Sequence, residues 1–326
     1  MQDKSNSNSD HSLPKGRTGG GSSVFLTRTL TGILFVIVMV GGILYSPLTC
    51  ALLFLVITAL SVWEFTGLVN SREDVQVNRF ITTVAAVCLY LGFFGYAAGI
   101  AATVPLFVPW LLSIIYLLIA ELYLQRESPL NNWAYSLMAQ IYVALPFCLL
   151  PLLLFQVQDP AATGASTRAG AYLILFIYIF LWCNDTGAYC TGSLLGRHKL
   201  FPSVSPGKTW EGSIGGGILT VAVALLIAFF GPETSAASST VDAVSATGGA
   251  APVVFGLNPW QWAGFALIVV VFGTWGDLVE SLFKRRLGIK DSGHILPGHG
   301  GMLDRFDSSL LAIPAVVAYL FTLAIL

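Results

Sequence analysis

Apolar runs follow one another almost to the end of the chain, at 28–46, 49–67, 79–97, 103–120, 134–155, 170–183, 213–231, 257–275 and 308–326. About 20 apolar residues suffice for a helix to cross the hydrocarbon of a bilayer, where every backbone group must be satisfied internally. The pattern therefore predicts an all-α, polytopic integral membrane protein with about nine transmembrane helices. Composition agrees, since 55% of residues are hydrophobic and 10% charged, against about 25% charged in soluble domains. Mean hydropathy is +0.77. The run at 170–183, GAYLILFIYIFLWC, is short. It must either continue into the polar residues that follow or cross a thinned region. Pro47 marks the turn between the first two helices.

The first 24 residues are polar and rich in glycine and serine, which predicts a disordered tail ahead of one transmembrane domain at 25–326. The apolar run after the tail lacks a small-x-small cleavage site and reads as a retained first span. Segment 231–252 carries no basic residue and reads as a flexible external linker. Cys50, Cys88, Cys148, Cys183 and Cys190 show no metal-ligand spacing and read as small apolar side chains. A net charge of -1 offers no concentrated basic surface for nucleic acid.

Basic residues orient the spans. With the N-terminus in the cytoplasm, 15 of the 16 Lys and Arg residues fall on inside segments, and only Arg168 falls outside. That asymmetry follows the positive-inside rule and places the polar segments 183–217 and 276–308 in the cytoplasm.

In the first of these segments, Asn184 and Asp185 follow the sixth run directly, at a depth where a carboxylate must be paired, hydrated or cation-bound. Asp185 would equally serve as the N-cap of a short helix. The stretch SVSPGKTWEG holds Ser205 and Lys208 among glycine turns and hydroxyls, able to surround phosphate oxygens or to form an ordinary loop. The Walker A order is absent. Gly215, Gly216 and Gly217 favour close helix packing over a functional role.

The second segment is denser in charge. Asp277 and Glu280 are three apart at the end of the eighth run, and Asp304 and Asp307 are three apart at the start of the ninth. On helices each pair would share a face, bringing three or four carboxylates together as oxygen ligands for Mg²⁺ or a similar hard cation. Singly, each acid would also serve as an interfacial charge. Lys284, Arg285, Arg286 and Lys290 could neutralise phosphate or contact anionic lipid. His299, within Gly298, Gly300 and Gly301, suits a tight anion-binding turn or a structural one, and the nearby acids argue against zinc at His294 and His299.

The stretch SLFKRRLGIKDSGHILPGHGGMLDRFD, Ser281 to Asp307, resembles the signature of the phosphatidate cytidylyltransferase family, the CDP-diacylglycerol synthases. Its matching positions are Ser281, Lys284, Arg285, Lys290, Asp291, His299, Gly300, Gly301, Asp304, Arg305 and Asp307, and the likeness extends upstream through GDLVES, SPGKTWEG and NDTGAY. The resemblance implies a multi-pass enzyme of the cell inner membrane or plasma membrane, with its active site cytoplasmic. It would condense CTP with phosphatidate, depend on magnesium, use potassium as a second cation and form a homodimer. It further implies catalytic roles for Lys208, Asp277 and Asp304, with metal held by Asp277, Asp304 and Asp307. Ser205, Lys284, Arg285, Lys290, His299 and Arg305 are the expected phosphate contacts.

A CTP-dependent lipid or polyprenol kinase would share nucleotide and cation, and a polytopic transporter would share spans and acids, although a transporter places its charges near mid-membrane. Two finer expectations follow. Asp304 should matter through cation binding and not through fold, and Arg305, about 100° further round a helix, should face away from the metal site.

Overall fold

The computed structural model describes residues 21–100, 103–156, 166–230, 257–293 and 300–323. The polar tail up to residue 20, most of the 231–252 linker's surroundings, the linker itself, His294 and His299 lie outside the described residues. Among them, eight helices are long and apolar enough to cross a membrane, joined by a shorter apolar helix at Thr29–Tyr45. The protein is an all-α, multi-pass membrane protein.

Helix α1 (Gly21–Tyr45) leads into α2 (Pro47–Val69) through a capping box, in which Ser46 Oγ accepts the Thr49 N–H at 3.1 Å and Thr49 Oγ1 accepts the Ser46 N–H at 3.0 Å. Pro47 takes the first helical position, where its missing N–H costs nothing. α3 (Arg79–Ala97) is capped by Asn78, and α4 is Thr103–Leu124. The next span is a composite of α5 (Pro129–Met138), a π-helical turn at Ala139–Ala144, α6 (Leu145–Cys148) and α7 (Leu150–Gln156). Pro146 lies just beyond the π turn. Proline cannot donate to a carbonyl four residues back and clashes with it, so a widened turn is a natural accommodation.

α8 (Ser166–Leu195) is 30 residues long, so the short apolar run does continue into the polar residues. Asn184 and Asp185 are therefore inside a helix, and Asp185 caps nothing; the N-cap alternative is overturned. α8 packs on α9 (Trp210–Phe230) through small residues. A Cβ on Gly216 would stand 2.5 Å from the Asn184 carbonyl oxygen, and one on Gly212 would stand 2.8 Å from that of Ala188. The glycine run thus serves close packing, as small-residue helix contacts in membranes do.

Between α8 and α9 stands a two-stranded antiparallel hairpin, β1 (Lys199–Phe201) and β2 (Ser205–Thr209). Strands of three and five residues leave no alternating pattern to read in advance. Glu211, in the first turn of α9, fixes the entry to the hairpin by accepting the N–H groups of Arg197 at 3.1 Å and His198 at 3.2 Å.

α10 (Pro259–Arg286) continues about three turns beyond the expected 257–275 run, so Asp277 and Glu280 are helical. The last span breaks into α11 (Leu303–Phe306) and α12 (Ser309–Thr322). Phe306, between the two acids of this break, is 1% exposed. Its ring packs at 5.6 Å from Phe147 and 6.0 Å from Tyr178, both near perpendicular, and Phe54 stacks on Tyr178 at 5.7 Å. Edge-to-face aromatic packing of this kind anchors the acid-bearing turn in the core. Outward faces carry exposed Leu34, Ile37, Leu111, Leu112 and Ile218, as a lipid-facing surface requires.

Candidate active site

Four carboxylates from three elements line one cleft of about 340 Å³: Asp185 of α8, Asp277 of α10, Asp304 of α11 and Asp307 beyond it. Thr31, Gly32, Phe35 and Val36 of α1 form its apolar wall. Gly276 allows the approach of α10 to the broken last span, because a Cβ there would lie 2.7 Å from the Asp307 carbonyl oxygen and 2.9 Å from that of Ser308. Bringing these acids together requires counter-charge, since like charges at short range repel strongly in a poorly solvated site.

Lys208 and Lys284 supply it. Lys208 Nζ on β2 lies 2.6 Å from Asp277 Oδ2, while Ser281 Oγ donates to Asp277 Oδ1 at 3.0 Å. Lys284 Nζ lies 2.6 Å from Glu280 Oε2 and 2.7 Å from Asp304 Oδ1. Asp304 Oδ2 also accepts the N–H groups of Ser292 and Gly301, each at 2.9 Å. Gly300 makes the tight turn beside it at φ +83°, where a side chain would be strained.

Several expectations change here. Glu280 does not join the cleft; its side chain is fully buried against Lys284. Asp185 takes the fourth place. Lys284, with 12% of its side chain exposed, is paired with the two carboxylates of Glu280 and Asp304. Arg305 lines the same cleft as the acids, so the expectation that it faces away is wrong: although consecutive in α11, the Asp304 and Arg305 side chains both reach the cleft wall. Asp304 is held by fold contacts as well as facing the cleft. Among the described residues, no group of three or more His, Cys, Asp or Glu side chains is arranged to hold a metal ion as the side chains stand, with Asp277 turned to Lys208 and Asp304 to Lys284.

A second cavity of about 400 Å³ adjoins the first, lined by Asp185, Gly192, Gly207, Lys208, Thr209, Ser213 and Thr274 among others. Asp185 belongs to both, and the Lys208–Asp277 pair spans the boundary between them. Nothing stands within 4 Å of where a Gly207 Cβ would be, so the backbone beside Lys208 is open to a ligand. Ser205 pairs with Phe201 across the hairpin and lines neither cavity, while Arg285 and Lys290 are exposed at the end of α10 and beyond it. Asn184 is buried and also lines the second cavity, its Oδ1 close to Gly216 and its Nδ2 3.5 Å from Thr274 Oγ1.

The profile of the cytidylyltransferase family matches residues 26–323. The chain belongs to this family. Among cytidylyltransferase relatives, the phosphatidate cytidylyltransferase of Staphylococcus aureus (strain COL) is 33% identical over 288 residues, covering 88% of this chain and 95% of the relative. That of Staphylococcus haemolyticus (strain JCSC1435) is 33% identical over 287 residues. The Staphylococcus saprophyticus protein of the same name is 36% identical over 222 residues, or 64% of this chain. Family membership makes the chain an enzyme, a nucleotidyltransferase, and agrees with the resemblance carried by Ser281 to Asp307.

Proposed function

We propose that this cytidylyltransferase moves the CMP unit of CTP onto phosphatidate, giving CDP-diacylglycerol and pyrophosphate. The observation that carries the proposal is the Lys208–Asp277 pair, at 2.6 Å, on the boundary between an acid-lined cleft and a glycine- and hydroxyl-lined cavity. A phosphate oxygen of phosphatidate attacks the α-phosphorus of CTP; the new P–O bond forms as the bond to the β-phosphate oxygen breaks and pyrophosphate departs. No side-chain nucleophile is needed. The protein's contribution is alignment and charge stabilisation.

The cleft offers oxygen donors, four carboxylates beside Thr31 and Ser308, which suits a hard divalent cation such as magnesium. Asp185, Asp277 and Asp307 would hold it, with Asp304 orienting the turn, and it would supply neutralisation of the substrates' phosphates. Asp277 and Ser281 orient Lys208, whose ammonium can turn from the carboxylate to a phosphate oxygen in the adjoining cavity. Exposed Arg285 and Lys290, and Arg305 in the lining of the cleft, would face the anionic substrates, and His299 keeps its proposed phosphate contact. Charge asymmetry supports a cytoplasmic opening. The homodimer and the potassium ion rest on the family resemblance and take no part in this mechanism.

Purified enzyme given CTP, phosphatidate and Mg²⁺ should release pyrophosphate only when phosphatidate is present. Release of CDP in place of pyrophosphate would move the assignment to a kinase. A phosphatidate-independent protein with neither product would lose the enzymatic reading of this cleft.

A further inference from the structure

Glu64 lies in α2, far in sequence from every residue of the cleft, and is 7% exposed. An acid inside a membrane-spanning helix is costly unless its oxygens are satisfied. Here they are satisfied by the turn that carries Asp304 together with Ser292. Glu64 Oε2 accepts the Met302 N–H at 2.7 Å, and Oε1 accepts the Leu303 N–H at 3.2 Å and the Ser292 hydroxyl. The two amides belong to the start of α11, where helical N–H groups have no partner within the helix.

Ser292 ties this contact to the cleft. Its hydroxyl accepts the Asp304 N–H at 3.3 Å, and its own N–H donates to Asp304 Oδ2 at 2.9 Å. Two glycines are shaped around the same carboxylate: a Cβ on Gly301 would collide with Glu64 Oε1, and one on Gly293 would stand 3.0 Å from Glu64 Cδ and Oε2. Glu64 itself does not line the acid cleft.

We infer that Glu64 is a positioning residue for the reaction, clamping the 301–304 turn from the second helix so that Asp304, Arg305 and Asp307 face the cleft together. The activity arm of its test rests on the proposed CMP transfer; the structural arm does not. In the full-length enzyme, Glu64→Gln keeps the volume but replaces a charged acceptor with an amide that also presents donors to Ser292. Hydrogen–deuterium exchange at Met302 and Leu303 should then quicken by at least about tenfold, the scale of one hydrogen bond to a charged group. Turnover should fall by at least about tenfold, with a higher Mg²⁺ concentration at half-maximal rate. Glu64→Asp, which retains the carboxylate, should recover part of both. Should Glu64→Gln fail to accumulate, Glu64→Asp alone is read: one methylene short of the two amides, it should show part of both losses. Parental exchange at Met302 and Leu303 overturns the inference in whichever variant is measured. So does lost turnover with parental Mg²⁺ dependence, which marks a merely structural acid. If the parent transfers no CMP, the functional reading fails and the exchange arm alone decides the clamp.

Discussion

Lys208 and Asp277 meet at 2.6 Å although one stands on a short hairpin and the other near the end of a 28-residue helix. The contact joins the two stretches SPGKTWEG and GDLVES, which the chain separates by a whole span. It also fixes the charge at the boundary of the two cavities, where the account places the reacting phosphates. Lys208→Met and Asp277→Asn should each lower turnover by about 100-fold or more, as removal of one preorganised electrostatic group does. Because the two act as a pair, the double variant should be far less than multiplicatively worse. Steady-state rates of the four proteins at saturating CTP check this.

Asp304 and Asp307 should separate in stability. Asp304→Asn disturbs the contacts to Lys284, Ser292 and Gly301, at about 1.5–3 kcal/mol for a hydrogen bond involving a charge. Its Tm in detergent should fall together with turnover. Asp307→Asn, which keeps an acceptor for the Ser308 N–H at 2.5 Å, should hold Tm closer to the parent while raising the Mg²⁺ requirement. Thermal melts and Mg²⁺ titrations of both variants distinguish the roles.

Gly276→Ala should cost about 1–3 kcal/mol, the usual penalty for overpacking. Its added methyl would press on the Asp307 and Ser308 carbonyls, pushing Asp277 away from Asp307. Reduced melting temperature with reduced turnover is the expected result.

Much of this site was legible in the sequence, but for different reasons at different residues. Asp277, Asp304 and Asp307 stand at helix ends in an otherwise apolar chain, so their cost in lipid announces them. Glu280 carries the same signal, yet Lys284 one turn later claims it, and spacing alone does not tell a cleft ligand from an i,i+4 ion pair. Asp185 stands out by its depth, but the sequence leaves a capping role open beside a cation-binding one, because the apolar run ends before the helix does. Glu64 lies in SVWEFTG, where a lone acid in an apolar run was the available signal; its partners are too distant in sequence to be found from pattern. Arg305 is among the phosphate contacts expected from the sequence, but helical spacing alone turns it away from the acids, and only the packed structure shows it lining their cleft.

Orientation has its own test. In a background lacking the five native cysteines, a cysteine placed in the 231–252 segment should react with an impermeant thiol reagent outside intact cells. Arg286→Cys, exposed at the end of α10, should react only after permeabilisation. The opposite pattern would put the cleft on the wrong side for cytoplasmic CTP.

The fate of the phosphates of CTP tests the central claim most directly. Purified enzyme, phosphatidate and Mg²⁺ are incubated with CTP labelled at either the α or the γ position, and the lipid fraction is counted. The account predicts that α label enters lipid while γ label leaves as pyrophosphate. Label entering lipid from the γ position alone would contradict it.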